Sequence, residues 1–231
     1  MIDAVFDAAR TVLSARAFTL FGAATTWTEV VSFVTGAACV WLVARQLWSN
    51  WPIGNLNSAA FLALFWLNGL FADGALQIVY IALGFYGWWA WLRDGRRPDG
   101  DRGELAISHT SPAQWVVLAA VTSAGAALIW WFLAAATTST VPFWDALTTA
   151  VSLAATWGQC RKKVESWWLW MAVDVAYVPL YGYKGLWLTA LLYVGFFCLC
   201  VAGLKAWRAD LAGRVSPVGP DGRAVGLEAA A

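Results

Sequence analysis

The sequence predicts an all-α polytopic membrane protein with seven transmembrane helices, arranged as two parallel three-helix repeats joined by a linker helix (3+1+3). Of its 231 residues, 61% are hydrophobic and only 13% are charged, and the mean hydropathy is +0.61. A soluble chain carries about a quarter charged residues, and a helix needs about 20 apolar residues to cross a bilayer. Seven apolar segments of that kind follow one another: 28–47, 51–70, 73–92, 114–136, 143–160, 165–183 and 186–206.

Polar stretches before, between and after these spans divide the chain into six parts. The first 26 residues predict an amphipathic lead-in, because charged side chains interrupt their apolar positions, and they contain no compact signal peptide. The Gly- and Pro-rich end predicts a flexible tail. The six parts are the lead-in 1–26, a first three-helix repeat 27–92, a cytoplasmic loop 93–113, the linker helix 114–136, a second repeat 143–207 and the tail 208–231.

The two halves of the sequence align with each other. The aligned pairs are Trp27 with Trp144, Trp51 with Trp168 and Asn57 with Asp174 at a shift of 117, then Gly87 with Gly203 and Trp91 with Trp207 at a shift of 116. Chance similarity between apolar helices is the alternative reading. A single span between the halves gives both the same orientation, and parallel repeats are a recurring transporter plan with the substrate between them.

Basic residues fall unevenly on the two sides of the predicted membrane. Twelve of the 15 lie on one side, and only Arg10, Arg16 and Lys184 lie on the other. The basic side of a membrane protein is its cytoplasmic side. We therefore expect a multi-pass membrane protein with its N-terminus outside and its C-terminus in the cytoplasm. The net charge of +1 argues against a nucleic-acid partner.

Polar and aromatic side chains recur at helical spacing on two spans, so each set shares one helix face. The set on the third span is Gln77, Tyr80, Gly84, Trp88 and Trp91, and the set on the sixth span is Trp167, Trp170, Asp174, Tyr177 and Tyr181. The seventh span offers Tyr193, and the second span offers Asn57. Many of the 18 tryptophans are also expected in interfacial belts, which is the alternative role for those near span ends.

Asp174 is the sharpest single signal, because it lies nine residues into its span. An ionisable group at that depth costs about 3 kcal/mol or more and marks a functional site by default. The alternatives are that Asp174 only hydrogen-bonds a neighbouring helix and that Gln77 only joins two helices. Indole faces attract cations, while amides and an acid bind hydroxyl groups. The combination predicts a flat, aromatic or cationic ligand that carries a polyhydroxy group.

The sequence lacks the patterns of other chemistries. Four cysteines lie in or beside apolar segments and are expected to be unpaired, and the single histidine, His109, lies in a polar loop. No P-loop, HExxH, GxSxG or acidic metal cluster is present. We therefore expect no catalytic residues, no metal and no cofactor, and a protein that is not an enzyme.

Three blocks of the sequence closely resemble the PnuC family of nicotinamide riboside transporters: "NWPIG", "FADGALQIVYIALGFYGWWAW" and "KKVESWWLWMAVDVAYVPLYGYKGLWLTALLYVGFF". The resemblance covers roughly 27–207. It implies a full-length SWEET-like fold and a homotrimer in the lipid bilayer of the bacterial inner (plasma) membrane. It further implies facilitated vitamin uptake with trapping by cytoplasmic phosphorylation. It also implies that the family's binding residues correspond to Trp88, Trp91, Trp167, Trp170, Asn57, Gln77 and Asp174.

The leading hypothesis is therefore facilitated uptake of nicotinamide riboside, an NAD precursor, by alternating access. The alternatives are the same fold carrying thiamine or another nucleoside-like vitamin, or a membrane-embedded enzyme or sensor. The expected substrate-binding residues are Asn57, Gln77, Tyr80, Trp88, Trp91, Trp167, Trp170, Asp174, Tyr177, Tyr181 and Tyr193. Because none of these side chains is basic, we expect the site to reject the phosphorylated mononucleotide.

Overall fold

The structure is a computed structural model, and it describes residues 11, 15–20, 23–67, 71–93, 95–96, 102–103, 105–137, 141–183 and 187–215. These ranges contain seven long helices and two short hairpins. The helices are α1 (Trp27–Ala44), α2 (Asn50–Leu67), α3 (Phe71–Arg93), α4 (Pro112–Ala136), α5 (Pro142–Cys160), α6 (Ser166–Tyr183) and α7 (Trp187–Val215). The strands are β1 (Arg16–Leu20), β2 (Ala23–Thr26), β3 (Gly95–Arg96) and β4 (Arg102–Gly103), paired antiparallel as β1–β2 and β3–β4.

Each of the seven predicted spans coincides with one helix, and the boundaries differ most at the two ends of the chain. Helix α7 continues to Val215, so residues 208–215 of the predicted flexible tail are helical. This extension is anchored because Leu211 packs on the same buried cluster as Leu204 and Trp207. The hairpin β1–β2 occupies the end of the predicted lead-in, where we expected no strands. The rest of the tail, 216–231, and residues 1–10 lie outside the described residues.

Two helices of the described chain are long and apolar enough to cross a membrane by composition. They are Gly74–Arg93, with a mean hydropathy of 1.3, and Pro112–Ala136, with a mean hydropathy of 2.0. None of the residues of α4 is buried against the rest of the chain. An all-round apolar helix with no buried face is suited to lipid and not to water.

Six of the helices form a closed ring, and α4 lies outside it. The contacts run from α1 to α2, α2 to α3, α3 to α5, α5 to α6, α6 to α7 and from α7 back to α1, while α4 packs on α5. Small side chains along α5 permit close approach of its neighbours, as is usual between membrane helices. Its buried residues include Ala146, Ala150, Ala154, Ala155 and Gly158. The interior of the ring is where a site between the two halves can lie.

Contacts in the first half recur in the second half at a spacing of 116 residues. Trp51 packs on Gly87 and lies edge-on to Trp91 at 5.4 Å and 90°, and Trp167 packs on Gly203 and lies edge-on to Trp207 at 5.4 Å and 86°. The residue of the second half that corresponds to Trp51 is thus Trp167, and not Trp168, with which the sequence alignment pairs it. The same spacing pairs Asp174 with Ser58 and not with Asn57.

The turns that follow α1 and α5 repeat each other bond for bond. Gln46 and Lys162, 116 residues apart, both have positive φ, 56° and 47°. Such a conformation is uncommon for a residue other than glycine, so its recurrence is informative. Three backbone hydrogen bonds of the first turn each recur 116 residues later. Gln46 N to Val43 O corresponds to Lys162 N to Gln159 O, and Leu47 N to Leu42 O corresponds to Lys163 N to Gly158 O. Asn50 N to Leu47 O corresponds to Ser166 N to Lys163 O.

The segment 105–111, which leads into α4, is strapped to the turn 161–165. Ser108 forms an isolated parallel bridge with Lys163, whose ammonium group also donates to Ser108 Oγ at 3.0 Å. Glu165 accepts from the N–H and the hydroxyl of Thr110, and its Oε1 lies 2.7 Å from His109 Nδ1. We call the end of the ring that carries the turns 45–49 and 161–165 the basic end.

These contacts shift the pKa values of two groups at the basic end, Glu165 and Lys163. Burial by itself would raise the pKa of Glu165, but the hydrogen bonds from His109 and Thr110 outweigh it and lower the pKa below its usual value. Partial burial and the nearby Arg161 charge lower the pKa of Lys163, against the opposing effect of Glu165. Hydrogen bonds to the charged carboxylate thus hold the strap in place.

Candidate functional site

A cavity of about 280 Å³ lies inside the ring of six helices. It approaches the lower limit of the size of small-molecule pockets. The lining comes from five helices, α1, α3, α5, α6 and α7, so it joins both halves of the chain. The lining residues are Gly36, Val40, Tyr80, Ser152, Gln159, Trp167, Trp170, Val173, Asp174, Tyr177, Tyr193, Phe196 and Cys200.

Asp174 supplies the charge of this cavity, since no other lining side chain is acidic or basic. It is only 3% exposed, and its Oδ2 lies 3.6 Å from the thiol of Cys200 on the next helix. A thiol is a weak hydrogen-bond donor, so this contact does little to compensate a buried carboxylate. The carboxylate is therefore suited to a cationic or hydroxyl-bearing ligand.

Two tryptophans of α6 line the cavity towards the basic end. Trp167 is fully buried against Trp207, and Trp170 follows it by three residues on the same face. The indole N–H groups of Trp167 and Trp170 are buried and have no hydrogen-bond partner among the residues that the structure describes. A buried polar group without a partner is costly, so these donors are suited to acceptor atoms of a bound molecule.

Tyrosines line the opposite end of the cavity. Tyr177 and Tyr193 belong to the lining, and their rings lie 4.7 Å apart. Tyr181 extends this group, because its ring stacks on Tyr193 at 5.3 Å with an interplanar angle of 8°. Tyr80, from α3, adds a ring from the first half. The cavity is therefore aromatic at both ends and acidic between them.

Six of the eleven residues expected from the sequence lie in the lining: Tyr80, Trp167, Trp170, Asp174, Tyr177 and Tyr193. Of the other five, Tyr181 is adjacent through its stack on Tyr193. Asn57 is not among the lining residues, and its Oδ1 accepts from Thr35 Oγ1 on α1 at 3.4 Å. Gln77 is half-buried on α3 and does not reach the lining.

The last two predicted site residues outside the lining, Trp88 and Trp91 of α3, pack elsewhere at the basic end. Trp88 stacks on Trp48 at 6.0 Å. Trp91 is buried beneath the cavity, where its indole N–H donates to the carbonyl of Gln159 at 3.0 Å. Trp207 makes the related bond across the ring, to the carbonyl of Val43 at 3.1 Å. These two bonds join the halves below the cavity and are structural contacts.

The sequence analysis missed several lining residues, of which Ser152 and Gln159 are the polar ones. Both lie on α5, whose buried face consists of small and weakly polar side chains. That face was the available signal: Ser152 and Gln159 are seven apart and so share one side of the helix. Gly36 occupies the position equivalent to Ser152 at the spacing of 116 and lines the opposite wall.

A larger cavity of about 580 Å³ lies outside the ring, between α3, α4 and α5. Its lining is almost wholly apolar and includes Val79, Leu83, Val117, Val121 and Leu153. None of its lining residues is charged, so it lacks the groups that would orient a polar substrate. It flanks the two helices that are long and apolar enough to cross a membrane, and it does not compete with the inner cavity as a substrate site.

Known proteins resemble this chain over most of its length. A family model described as "Nicotinamide mononucleotide transporter" matches residues 26–209. The nicotinamide riboside transporter PnuC of Escherichia coli (strain K12) is 23% identical over 202 residues, which cover 78% of this chain and 84% of the relative. The riboflavin/roseoflavin transporter RibM of Streptomyces davaonensis is 28% identical over 197 residues, covering 84% of this chain and 91% of the relative.

A solved structure has the same fold. The crystal structure of the vitamin B3 transporter PnuC superimposes with a TM-score of 0.62 at 23% identity, covering 81% of this chain and 83% of that chain. At this identity the likeness establishes the fold. It places the seven helices described above in a known membrane-transporter architecture.

Proposed function

Because the chain belongs to the nicotinamide mononucleotide transporter family, as its sequence blocks indicated, we propose that it is a membrane transporter whose substrate is a cationic riboside, nicotinamide riboside foremost. The observation that carries this substrate is the inner cavity, which places the buried carboxylate of Asp174 between tryptophan and tyrosine rings. Aromatic faces and a desolvated carboxylate both favour a flat cation. The unpartnered indole N–H groups of Trp167 and Trp170 are suited to ribose oxygens.

The charge of the cavity separates the candidate substrates. Nicotinamide riboside carries a pyridinium cation, while its phosphorylated product adds negative charge that no lining side chain of this cavity matches. Riboflavin is the second candidate, because RibM is named as a riboflavin transporter, but its larger fused ring system is neutral and gains nothing from the carboxylate. Thiamine is also a cation, so the cavity's charge alone does not separate it from the riboside. The protein binds and releases its substrate unchanged, with no enzymatic step.

The architecture that supports this function is a pair of parallel three-helix repeats, α1–α3 and α5–α7, with α4 as the linker of a 3+1+3 arrangement. The contacts that recur at a spacing of 116 support the duplication, with one register throughout. The bonds from Trp91 and Trp207 to opposite halves support an approximate two-fold axis through the basic end. Such repeats move against each other around a central site in alternating access.

The surroundings of the protein follow from charge and from the family. The basic end faces the cytoplasm of an inner membrane, because it carries Arg45, Arg161, Lys162 and Lys163. The N-terminus is then outside and the C-terminus inside. The assembly is a homotrimer in the lipid bilayer. Uptake is facilitated diffusion, and phosphorylation in the cytoplasm traps the riboside because the cavity does not accept the product.

Calorimetric titration of the purified protein tests the substrate. We expect nicotinamide riboside to bind and nicotinamide mononucleotide and riboflavin to bind at least about ten-fold more weakly, with thiamine as a fourth ligand that ranks the two cations. Asp174→Asn is expected to weaken riboside binding by about 1.5–3 kcal/mol, the cost of a lost charged contact. Gln77→Ala, outside the lining, is the matched control and is expected to leave the affinity unchanged.

Two results would contradict the proposal. Tight binding of the mononucleotide would show that the cavity tolerates a phosphate. Unchanged riboside affinity in Asp174→Asn, in protein that elutes as wild type from a sizing column, would show that the substrate does not occupy this cavity.

A further inference from the structure

Lys162 is a buried cation that the substrate cavity does not explain. It belongs to the turn between α5 and α6, and it is only 2% exposed. Its ammonium group lies 4.5 Å from the ring centroid of Trp91 and donates to Gln46 Oε1 at 3.3 Å. Charged groups are rarely buried unless they are paired, and these two contacts contribute to compensating its burial.

Both contacts of this ammonium group reach from the second half of the chain into the first. Gln46 belongs to the turn after α1, and Trp91 belongs to α3. Gln46 and Lys162 are also the two non-glycine residues with positive φ in the described part of the chain, and they are 116 residues apart. The side chains at equivalent positions of the two halves therefore meet each other, one as acceptor and the other as donor.

The contacts of Lys162 lie directly below the substrate cavity. Gln159 lines the cavity, and its carbonyl accepts from the indole N–H of Trp91, whose ring carries the ammonium group. Trp91 in turn lies 6.4 Å from Trp207, which packs edge-on against the lining residue Trp167. A substrate that leaves the cavity towards the basic end has to pass this layer.

The backbone of Lys162 is bonded within its own half, while the contacts of its side chain with Gln46 and Trp91 reach into the other half. Its carbonyl accepts from Ser108 N at 3.1 Å, and its N–H donates to Gln159 O at 3.0 Å. The turn is therefore fixed to α5 and to the segment 105–111. Separation of the two halves at this end breaks the side-chain contacts to Gln46 and Trp91 and leaves the turn intact.

We propose that Lys162 is the latch of the cytoplasmic gate, a positioning residue whose ammonium group holds Gln46 and Trp91 of the first half against the second half until the cavity opens to the cytoplasm. The assignment of this end to the cytoplasm rests on the proposed function. Releasing the latch exposes the cavity, so its effect is read from the accessibility of a cavity residue and not from transport alone.

Cys200 provides the reporter, because it lines the cavity beside Asp174. The background protein carries Cys39→Ala, Cys160→Ala and Cys198→Ala, so that Cys200 is its only thiol. Its modification by a membrane-impermeant methanethiosulfonate is timed in inside-out and in right-side-out vesicles. No substrate is present, so failure of nicotinamide riboside to bind would overturn the proposed function and leave this measurement standing.

Lys162→Met keeps the length of the side chain and removes its charge. We expect it to accelerate modification of Cys200 from the cytoplasmic face by about ten-fold or more. This corresponds to a loss of about 1.4 kcal/mol from the free energy that favours the closed gate. The rate from the outer face is expected to stay unchanged. Lys162→Arg retains a cation that stacks on indole rings and is expected to react as slowly as the background protein.

Gln46→Leu is the second variant, because it removes the acceptor and leaves Lys162 in place. We expect a smaller acceleration from the same face, about three-fold, since the contact with Trp91 remains. Equal rates in the background protein, Lys162→Met and Gln46→Leu would overturn the latch. An acceleration from both faces, or from the outer face alone, would overturn it as well, because the change would then loosen the whole bundle or the wrong gate.

Discussion

Gly203→Ala tests the packing that shapes one wall of the cavity. A Cβ atom at Gly203 would lie 2.6 Å from both Cζ2 and Cζ3 of Trp167, whereas carbon atoms in contact are normally about 3.5–4.0 Å apart. The obstacle is a fully buried indole ring, which cannot turn aside as the end of a flexible side chain can. The substitution therefore forces the ring of Trp167 or the backbone of α7 to move.

The expected cost follows from two opposing effects. Overpacking of a filled site costs about 1–3 kcal/mol, and alanine in place of a helical glycine returns about 1 kcal/mol. We expect a net loss of up to about 2 kcal/mol of unfolding free energy. For a chain of this size each 1 kcal/mol lowers the unfolding temperature by about 2–4 °C, which is measurable by tryptophan fluorescence in detergent.

Two control glycines separate the clash from other effects. Gly87→Ala meets Trp51 as Gly203→Ala meets Trp167, with Cζ3 at 2.7 Å, so it is expected to cost a similar amount. Gly195→Ala lies on the same helix as Gly203 with nothing within 4 Å, and it is expected to raise stability slightly. Of the two tryptophans that these glycines contact, Trp167 lines the cavity and Trp51 does not. Gly203→Ala is therefore expected to weaken ligand binding, and Gly87→Ala is not.

The reasoning fails if Gly203→Ala unfolds at or above the temperature of the wild type. Equal weakening of binding by Gly87→Ala and Gly203→Ala would also contradict it, because only the second substitution displaces a tryptophan that lines the cavity. The double variant Gly203→Ala with Trp167→Phe removes the clashing atoms, and the two changes are expected to be less destabilising together than their sum, by about 1 kcal/mol.

The other predictions concern the basic end. Glu165→Gln is expected to lower the unfolding temperature near neutral pH, because the carboxylate accepts from Thr110 and His109. The pKa of Glu165 is lower in the folded protein than its usual value, so its stabilisation is present above that usual value and is lost as pH falls through the folded pKa. Thermal scans of wild type and variant should therefore converge as the pH is lowered through that folded pKa. Trp91→Phe and Trp207→Phe each remove one indole hydrogen bond to the opposite half and are expected to cost about equally, roughly 1 kcal/mol each plus lost packing, in chemical denaturation. A cost confined to one of them would contradict the equivalence of the two bonds.

The number and order of the helices could be predicted from the sequence, because an apolar run long enough to cross a bilayer has one stable conformation there. A membrane interior leaves no partner for an open backbone, so each run becomes a helix. The end of α7 could not be predicted in this way. Residues 208–215 are polar enough to resemble a tail, and it is Leu211 packing on the buried cluster that keeps them helical.

Asp174 and its aromatic neighbours on α6 could be predicted because an acid inside an apolar run has few explanations. Asn57 could not be assigned correctly from the alignment. A helix has 3.6 residues per turn, so a slip of one residue rotates the expected face by about 100°. The shift of 117 therefore aligned Asn57 with Asp174. The contacts that recur at a spacing of 116 instead align Asp174 with Ser58, and Asn57 contacts Thr35.

The contribution of α5 was hidden for a different reason. Its cavity residues Ser152 and Gln159 belong to a face of alanine, serine and threonine that resembles ordinary helix packing. Nothing in the chemistry of one serine distinguishes a cavity wall from a helix contact. The difference depends on which helices close the ring, and that is decided by the long-range contacts of α3 with α5 and of α1 with α7.

The strap at the basic end makes the two halves mechanically unequal. The bridge between Ser108 and Lys163, with the bonds from Thr110 to Glu165, fastens the entrance of α4 to the second half. Helix α4 also packs along α5. A motion that parts the halves at this end while the strap stays bonded therefore carries four helices as one body and three as the other. The first half is therefore the smaller of the two bodies, with three helices against four.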